Sequence, residues 1–164
     1  RRAVAGLRYG GPARDVVLAV KFSGRREGLR VLAEGLGRAL VETGLARRVS
    51  LVVPVPLHPW RRLGRGFDQA EELARLVGRA LGLPVVAGAL RRRRLTSPQA
   101  RRAPGERAGA MERAFGRGAR SRRVRGRAVL LIDDVMTSGA TADAAAGALL
   151  DAGARAVFVG VAAT

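Results

Sequence analysis

The chain contains no cysteine. That excludes disulfides, a thiol nucleophile and any cysteine-ligated zinc or iron–sulfur centre. Aromatic residues make up only 4% of the sequence, so base stacking would be a minor term in any nucleic-acid binding. No apolar run approaches the roughly 18 residues a membrane span needs. The opening residues Arg1, Arg2, Ala3, Val4, Ala5 and Gly6 are basic but lead into no apolar stretch, so no secretory signal is expected. Absence of cysteine together with absence of a leader fits the cytoplasm. No G-x-x-x-x-G-K-[ST], H-E-x-x-H or G-x-S-x-G pattern occurs, which excludes P-loop ATP hydrolysis and two common hydrolase chemistries.

What is present is arginine. The 164 residues suffice for one globular domain, residues 1–164, and 48% hydrophobic against 27% charged residues excludes wholesale disorder. Lys and Arg number 31 against 13 Asp and Glu, a net charge of +18, and Lys21 is the single lysine. A field this positive attracts nucleic acids and phosphorylated metabolites, and guanidinium groups hold phosphate with two-pronged geometry. The charge is concentrated. Residues 91–127 carry 14 arginines against Glu106 and Glu112, a local balance of +12. This stretch also holds Pro98, Pro104 and several glycines, so it reads as a long, flexible basic loop that buries too little apolar surface to offset the entropy of ordering it.

Regular structure is expected on either side. Leu29, Leu32, Leu36 and Leu40 have helical spacing within residues 27–44, and Ala70, Leu73, Val77 and Leu81 within residues 68–81. Buried strands are expected at residues 49–53, 84–87, 128–132 and 156–161, and a third helix at residues 141–152. The strands alternate with helices and their apolar runs are continuous. This pattern predicts an α/β fold, a parallel central sheet with helices on both faces.

The strongest strand, Ala128 to Ile132, runs directly into Asp133 and Asp134, then Val135, Met136, Thr137, Ser138, Gly139, Ala140 and Thr141. Ligands of parallel sheets bind beyond the carboxyl ends of the strands. The turn would present backbone N–H groups and three hydroxyls to a phosphate at a helix N-terminus. Two carboxylates beside such a cradle fit a ligand that also brings neighbouring hydroxyls or a divalent metal. The bland alternative is a capped αβ loop with two solvated aspartates. The pattern resembles the signature of type I phosphoribosyltransferases. That resemblance implies that Asp133 and Asp134 hold the ribose hydroxyls of 5-phosphoribosyl-1-pyrophosphate (PRPP), with Mg²⁺ carried by PRPP and these carboxylates as its nearest protein oxygens. It further implies that Thr137, Ser138, Gly139, Ala140 and Thr141 wrap the 5′-phosphate.

A second segment begins where the strand at residues 49–53 ends. Pro54, Pro56 and Pro59 stiffen a turn that carries Arg61, Arg62 and Arg65 before a helix opens near Asp68. A rigid basic turn suits a pyrophosphate; a proline-rich corner before a capped helix is the plainer reading. With the downstream signature it resembles the ComF family of competence-associated, phosphoribosyltransferase-like proteins. Its Arg-Gly-Phe-Asn-Gln-Ala box reads here Arg65, Gly66, Phe67, Asp68, Gln69, Ala70, with Asp68 in place of the usual Asn. The resemblance assigns Pro56, Leu57, Arg61 and Arg65 to pyrophosphate, and Arg93, Arg94, Thr96 and Gln99 to a loop that closes over the site. It also covers Lys21 and Phe22, where Lys21 fits both a snorkelling surface lysine and a functional one. The cysteine-rich zinc-binding segment usual in the family has no counterpart, through either trimming or natural absence. His58 reads as a turn residue rather than a general base, Trp60 as packing, and Met136 as a core filler.

The resemblance implies Mg²⁺-dependent pentosyl transfer from PRPP to an acceptor, a glycosyltransferase reaction, with a cellular role in DNA uptake. Two alternatives stand beside it. One is a non-catalytic accessory module that binds single-stranded DNA beside a DNA-uptake helicase and a recombination mediator. The other is a nucleotide-sensing regulator.

Overall fold

The computed structural model of the protein describes residues 2–7, 27–57, 68–93, 114–135 and 139–163. Four parallel strands form the central sheet: β1 (Arg2–Leu7), β2 (Leu51–Pro54), β5 (Ala128–Val135) and β6 (Ala156–Ala163), in the order β1-β6-β5-β2. β5 and β6 run in register from Ala128 opposite Ala156 to Val135 opposite Ala163. β2 lies on the other side of β5, with Leu51 opposite Val129 and Pro54 opposite Ile132.

Alternation along the strands sends side chains to two separate cores. Leu130 and Ile132 pack with Leu29, Leu36 and Leu40 of α1 (Glu27–Glu42) and with Leu73 and Val77 of α2 (Gln69–Leu81). Val129 and Leu131 face the opposite way, onto Ala142, Ala145 and Leu149 of α3 (Ala140–Asp151). Both faces are therefore covered, which is why these strands are apolar without interruption. The α/β expectation holds.

Elements differ from the sequence reading in three places. β1 was not expected at all; it pairs with β6, Arg2 opposite Phe158 and Leu7 opposite Ala163. The strand expected at residues 84–87 is reduced to one parallel bridge between Val85 and Val52. The expected basic loop is ordered at both ends: β3 (Leu90–Arg92) pairs antiparallel with β4 (Phe115–Arg117), and a 3₁₀ turn, Ser121–Val124, leads to β5. Phe115 and Val124 are buried in the α3-side core, and they supply the apolar contacts that the composition count undervalued. Residues 94–113 lie outside the described residues.

α2 packs closely on the β2 edge at Gly78. A Cβ there would come within 2.5 Å of the Val85 side chain and 3.0 Å of the Leu83 carbonyl. At Gly37 of α1 nothing lies within 4 Å of the same position. Chemical denaturation should therefore separate two otherwise identical changes. Gly37→Ala should stabilise by up to about 1 kcal/mol through helix propensity. Gly78→Ala should lose that gain to overpacking and destabilise by about 1–2 kcal/mol.

Candidate functional site

The site is assembled by the register of β2 against β5. Pro54 lies opposite Ile132, and the Val55 amide donates to the Ile132 carbonyl at 2.8 Å. The chain leaving β2 through Pro56 and Leu57 thus runs along the same rim as Asp133 and Asp134 at the end of β5. All four residues are half-buried, accessible to a ligand yet held by the sheet.

The two aspartates are strand residues and continue the alternation of β5. Asp133 follows Leu131 toward the α3 side, and Asp134 follows Ile132 toward the α1–α2 side. The Asp134 amide donates to Asp133 Oδ1 at 2.9 Å, which fixes the first carboxylate at the strand end. Two acids in sequence thereby become two anchors on either side of the sheet's edge.

α3 begins beside them. Gly139 is its N-cap, at φ 74 and ψ −10, and no side-chain hydrogen bond caps this end. The left-handed conformation is the reason for glycine, because a Cβ there is strained. The N-terminus of a helix carries the positive end of the helix dipole, which favours an anion. Ala140 and Thr141 in its first turn are half-buried. Thr137 and Ser138 lie outside the described residues, as do His58, Trp60, Arg61, Arg65, Arg94, Thr96 and Gln99. Arg93 is exposed just after β3, its amide donating to the Ala114 carbonyl at 2.8 Å and its guanidinium lying over Gly116.

Asp68 has a wider role than the cap expected of it. Its carboxylate accepts from the Glu71 amide at 3.1 Å, capping α2, and from the Leu57 amide at 3.4 Å. One side chain therefore ties the two ends of the Pro-x-Pro segment together. Gln69 beside it is 2% exposed, a buried polar anchor at the start of α2 that spacing alone does not single out. Among the described residues no group of three or more His, Cys, Asp or Glu is arranged to hold a metal. Either carboxylate is nevertheless a hard oxygen donor on an accessible rim, and fits a Mg²⁺ whose remaining ligands are phosphate oxygens and water.

The dual contact of Asp68 has a measurable consequence. Asp68→Ala should cost about 1–2 kcal/mol in thermal or denaturant unfolding, the usual loss of an N-cap. Asp68→Asn keeps an acceptor oxygen and should cost well under half as much. Equal losses in the two variants would show that charge, not the cap bond, carries the effect.

No protein-family model matches the chain. Two curated relatives do. The DNA utilization protein YhgH of Escherichia coli (strain K12) is 32% identical over 166 aligned positions, covering 97% of this chain and 70% of that protein. Competence protein F of Haemophilus influenzae is 31% identical over 90 positions, covering 55% of this chain and 39% of that protein. Among solved structures, the fold is similar to glutamine PRPP amidotransferase from B. subtilis, at TM-score 0.54 and 20% identity over 89% of this chain and 30% of that one. An allosteric regulatory enzyme of purine biosynthesis is similar at TM-score 0.53 and 22% identity, over 81% of this chain and 26% of that one. At that identity the structural likeness establishes a shared fold, the type I phosphoribosyltransferase fold, while the 32% relationship over nearly the whole chain establishes kinship: the protein belongs to the ComF family.

Proposed function

We propose that the protein binds PRPP with Mg²⁺ at the rim formed by β5, the start of α3 and the Pro-x-Pro segment, and transfers its phosphoribosyl group to an acceptor. The observation that carries this reading is the adjacency of three features. Asp133 and Asp134 lie at the end of β5, the Gly139-capped helix begins five residues after Val135, and Pro56 and Leu57 are held alongside by β2.

In this reading Asp133 and Asp134 accept hydrogen bonds from the ribose hydroxyls, and the amides of residues 137–141 receive the 5′-phosphate. Pro56, Leu57, Arg61 and Arg65 bind the pyrophosphate, and Arg93, Arg94, Thr96 and Gln99 take part in holding the ligand. The ribose–pyrophosphate C–O bond breaks, the acceptor forms the new bond at that carbon, and pyrophosphate leaves. Positive charge builds on the ring meanwhile, and carboxylates beneath it stabilise that charge. Mg²⁺, when bound with PRPP, would neutralise the leaving group, with Asp133 and Asp134 as the available protein oxygens. Exclusion of water by the closing segment protects PRPP from hydrolysis.

The cellular role we assign is handling of incoming DNA in the cytoplasm, since the curated relatives are named for DNA utilization and competence. A helicase and a recombination mediator are its proposed partners. No helix among the described residues is long and apolar enough to cross a membrane.

Isothermal titration tests the ligand. PRPP with Mg²⁺ should bind the wild type, and the pair Asp133→Asn/Asp134→Asn should weaken it about tenfold or more, as expected when hydrogen bonds to charged groups are lost. Equal affinity in both proteins, or none in either, would refute the site.

A further inference from the structure

The edge of the sheet opposite the rim concentrates positive charge. Three connections meet there, because β2, β5 and β6 are neighbours that all start on this edge. They are residues 43–50, 118–127 and 152–155. Together they contain eight arginines and no acidic residue, and every one of the eight is exposed. Arg47 and Arg48 precede β2, Arg125 and Arg127 precede β5, and Arg155 precedes β6.

Direct contacts fasten these connections to one another. Arg127 Nε donates to Ser50 Oγ at 3.2 Å, bridging the entries of β5 and β2. The Arg155 amide donates to the Arg127 carbonyl at 2.9 Å, and the Gly126 amide to the Gly153 carbonyl at 2.8 Å. The stem of Arg125 packs on Gly153, and the Arg48 guanidinium lies 5.3 Å from the centre of the Phe158 ring. The three connections that carry the arginines are thus tied to one another. None of the eight forms an ion pair among the described residues.

We infer that this edge binds the phosphodiester backbone of a nucleic acid without reading its sequence. Exposed guanidinium groups on neighbouring connections, with no acidic residue among them, suit the phosphate oxygens of a polyanion. The apolar residues of the three connections larger than alanine, Leu45, Val49 and Val124, are all buried, so the surface offers nothing to insert into a lipid interface and no aromatic to stack on a base. The edge is separate from the rim: Ala128 and Asp133 are five residues apart on β5, about 17 Å at ~3.3 Å per residue. The inference rests on the reading that the protein handles DNA, but uses none of the residues assigned to PRPP.

The test replaces arginines whose side chains make none of these contacts: Arg47→Gln, Arg122→Gln, Arg123→Gln and Arg155→Gln in one protein. Arg48, Arg125 and Arg127 stay, to preserve the contacts among the connections, and an unchanged melting temperature confirms the fold. Binding of a labelled single-stranded oligonucleotide of about 30 residues is followed by anisotropy across a salt series. The quadruple variant should bind about tenfold or more weakly, and its slope of log K against log salt should flatten by about 3, four contacts at ~0.7 each. Arg30→Gln/Arg38→Gln on α1 should leave affinity and slope nearly unchanged. A wild type that binds no oligonucleotide would overturn the DNA-handling reading and this surface together. Binding with an unchanged slope in the quadruple variant would overturn the surface alone. A wild type that prefers phosphatidylserine vesicles to the oligonucleotide would overturn the nucleic-acid assignment.

Discussion

The pairing of β5 with both β6 and β2 is the constraint on which the rest of the structure depends. Its apolar residues Val129, Leu130, Leu131 and Ile132 are completely buried, alternating between the α3 core and the α1–α2 core. A slip of one residue would exchange the two faces of the strand and carry Asp133 and Asp134 to the wrong sides of the rim. The same register brings the chain leaving β2 beside those aspartates and brings Ser50 within reach of Arg127 at the other end. Both surfaces of the molecule are fixed by one strand, and the core that stabilises the fold also sets the geometry of each.

Much of this was legible in the residues. A continuous β-branched run followed by two acids, small hydroxyl residues and a helix has few readings, and β5, Gly139 and α3 follow it closely. The leucines of α1 and the apolar stripe of α2 are equally plain, since four of the positions singled out in α1 are buried at 2% exposure or less. β1 was not legible because Arg2, Ala3, Val4, Ala5, Gly6 and Leu7 carry one β-branched residue among small ones. Its strand conformation comes from the free edge of β6, a tertiary contact more than 150 residues away in the chain. β3 and β4 were hidden for a similar reason: three-residue strands rich in arginine, paired across more than twenty residues, leave no local period.

The arginine edge was missed through counting along the chain rather than across the fold. The sequence groups Arg122, Arg123, Arg125 and Arg127 with Arg91 and Arg93 in one basic stretch. The structure divides them, with Arg91 and Arg93 at the β3–β4 pair and the later four joined to Arg47, Arg48 and Arg155. Strand order, which no local pattern encodes, decides which charges are neighbours. The signal that would have found this edge is the position of the arginines, each one to eight residues before a buried parallel strand.

Two charged surfaces on one small domain raise the question of interference. The rim would hold a strongly anionic ligand beside carboxylates, which is favourable only where cations or a metal offset the repulsion. The opposite edge would hold a polyanion. At physiological ionic strength the Debye length is about 8 Å, so the ~17 Å between the edge and the aspartates spans about two screening lengths. A nucleic acid on the edge then changes the potential at the rim only weakly. Near 0.01 M salt the screening length grows to about 30 Å, and the two sites share one field. In that regime the arginine edge would help draw PRPP toward the molecule, and a bound nucleic acid would remove that help. Coupling between the two proposed sites would therefore depend on the solvent as much as on the fold, and fade as ionic strength rises.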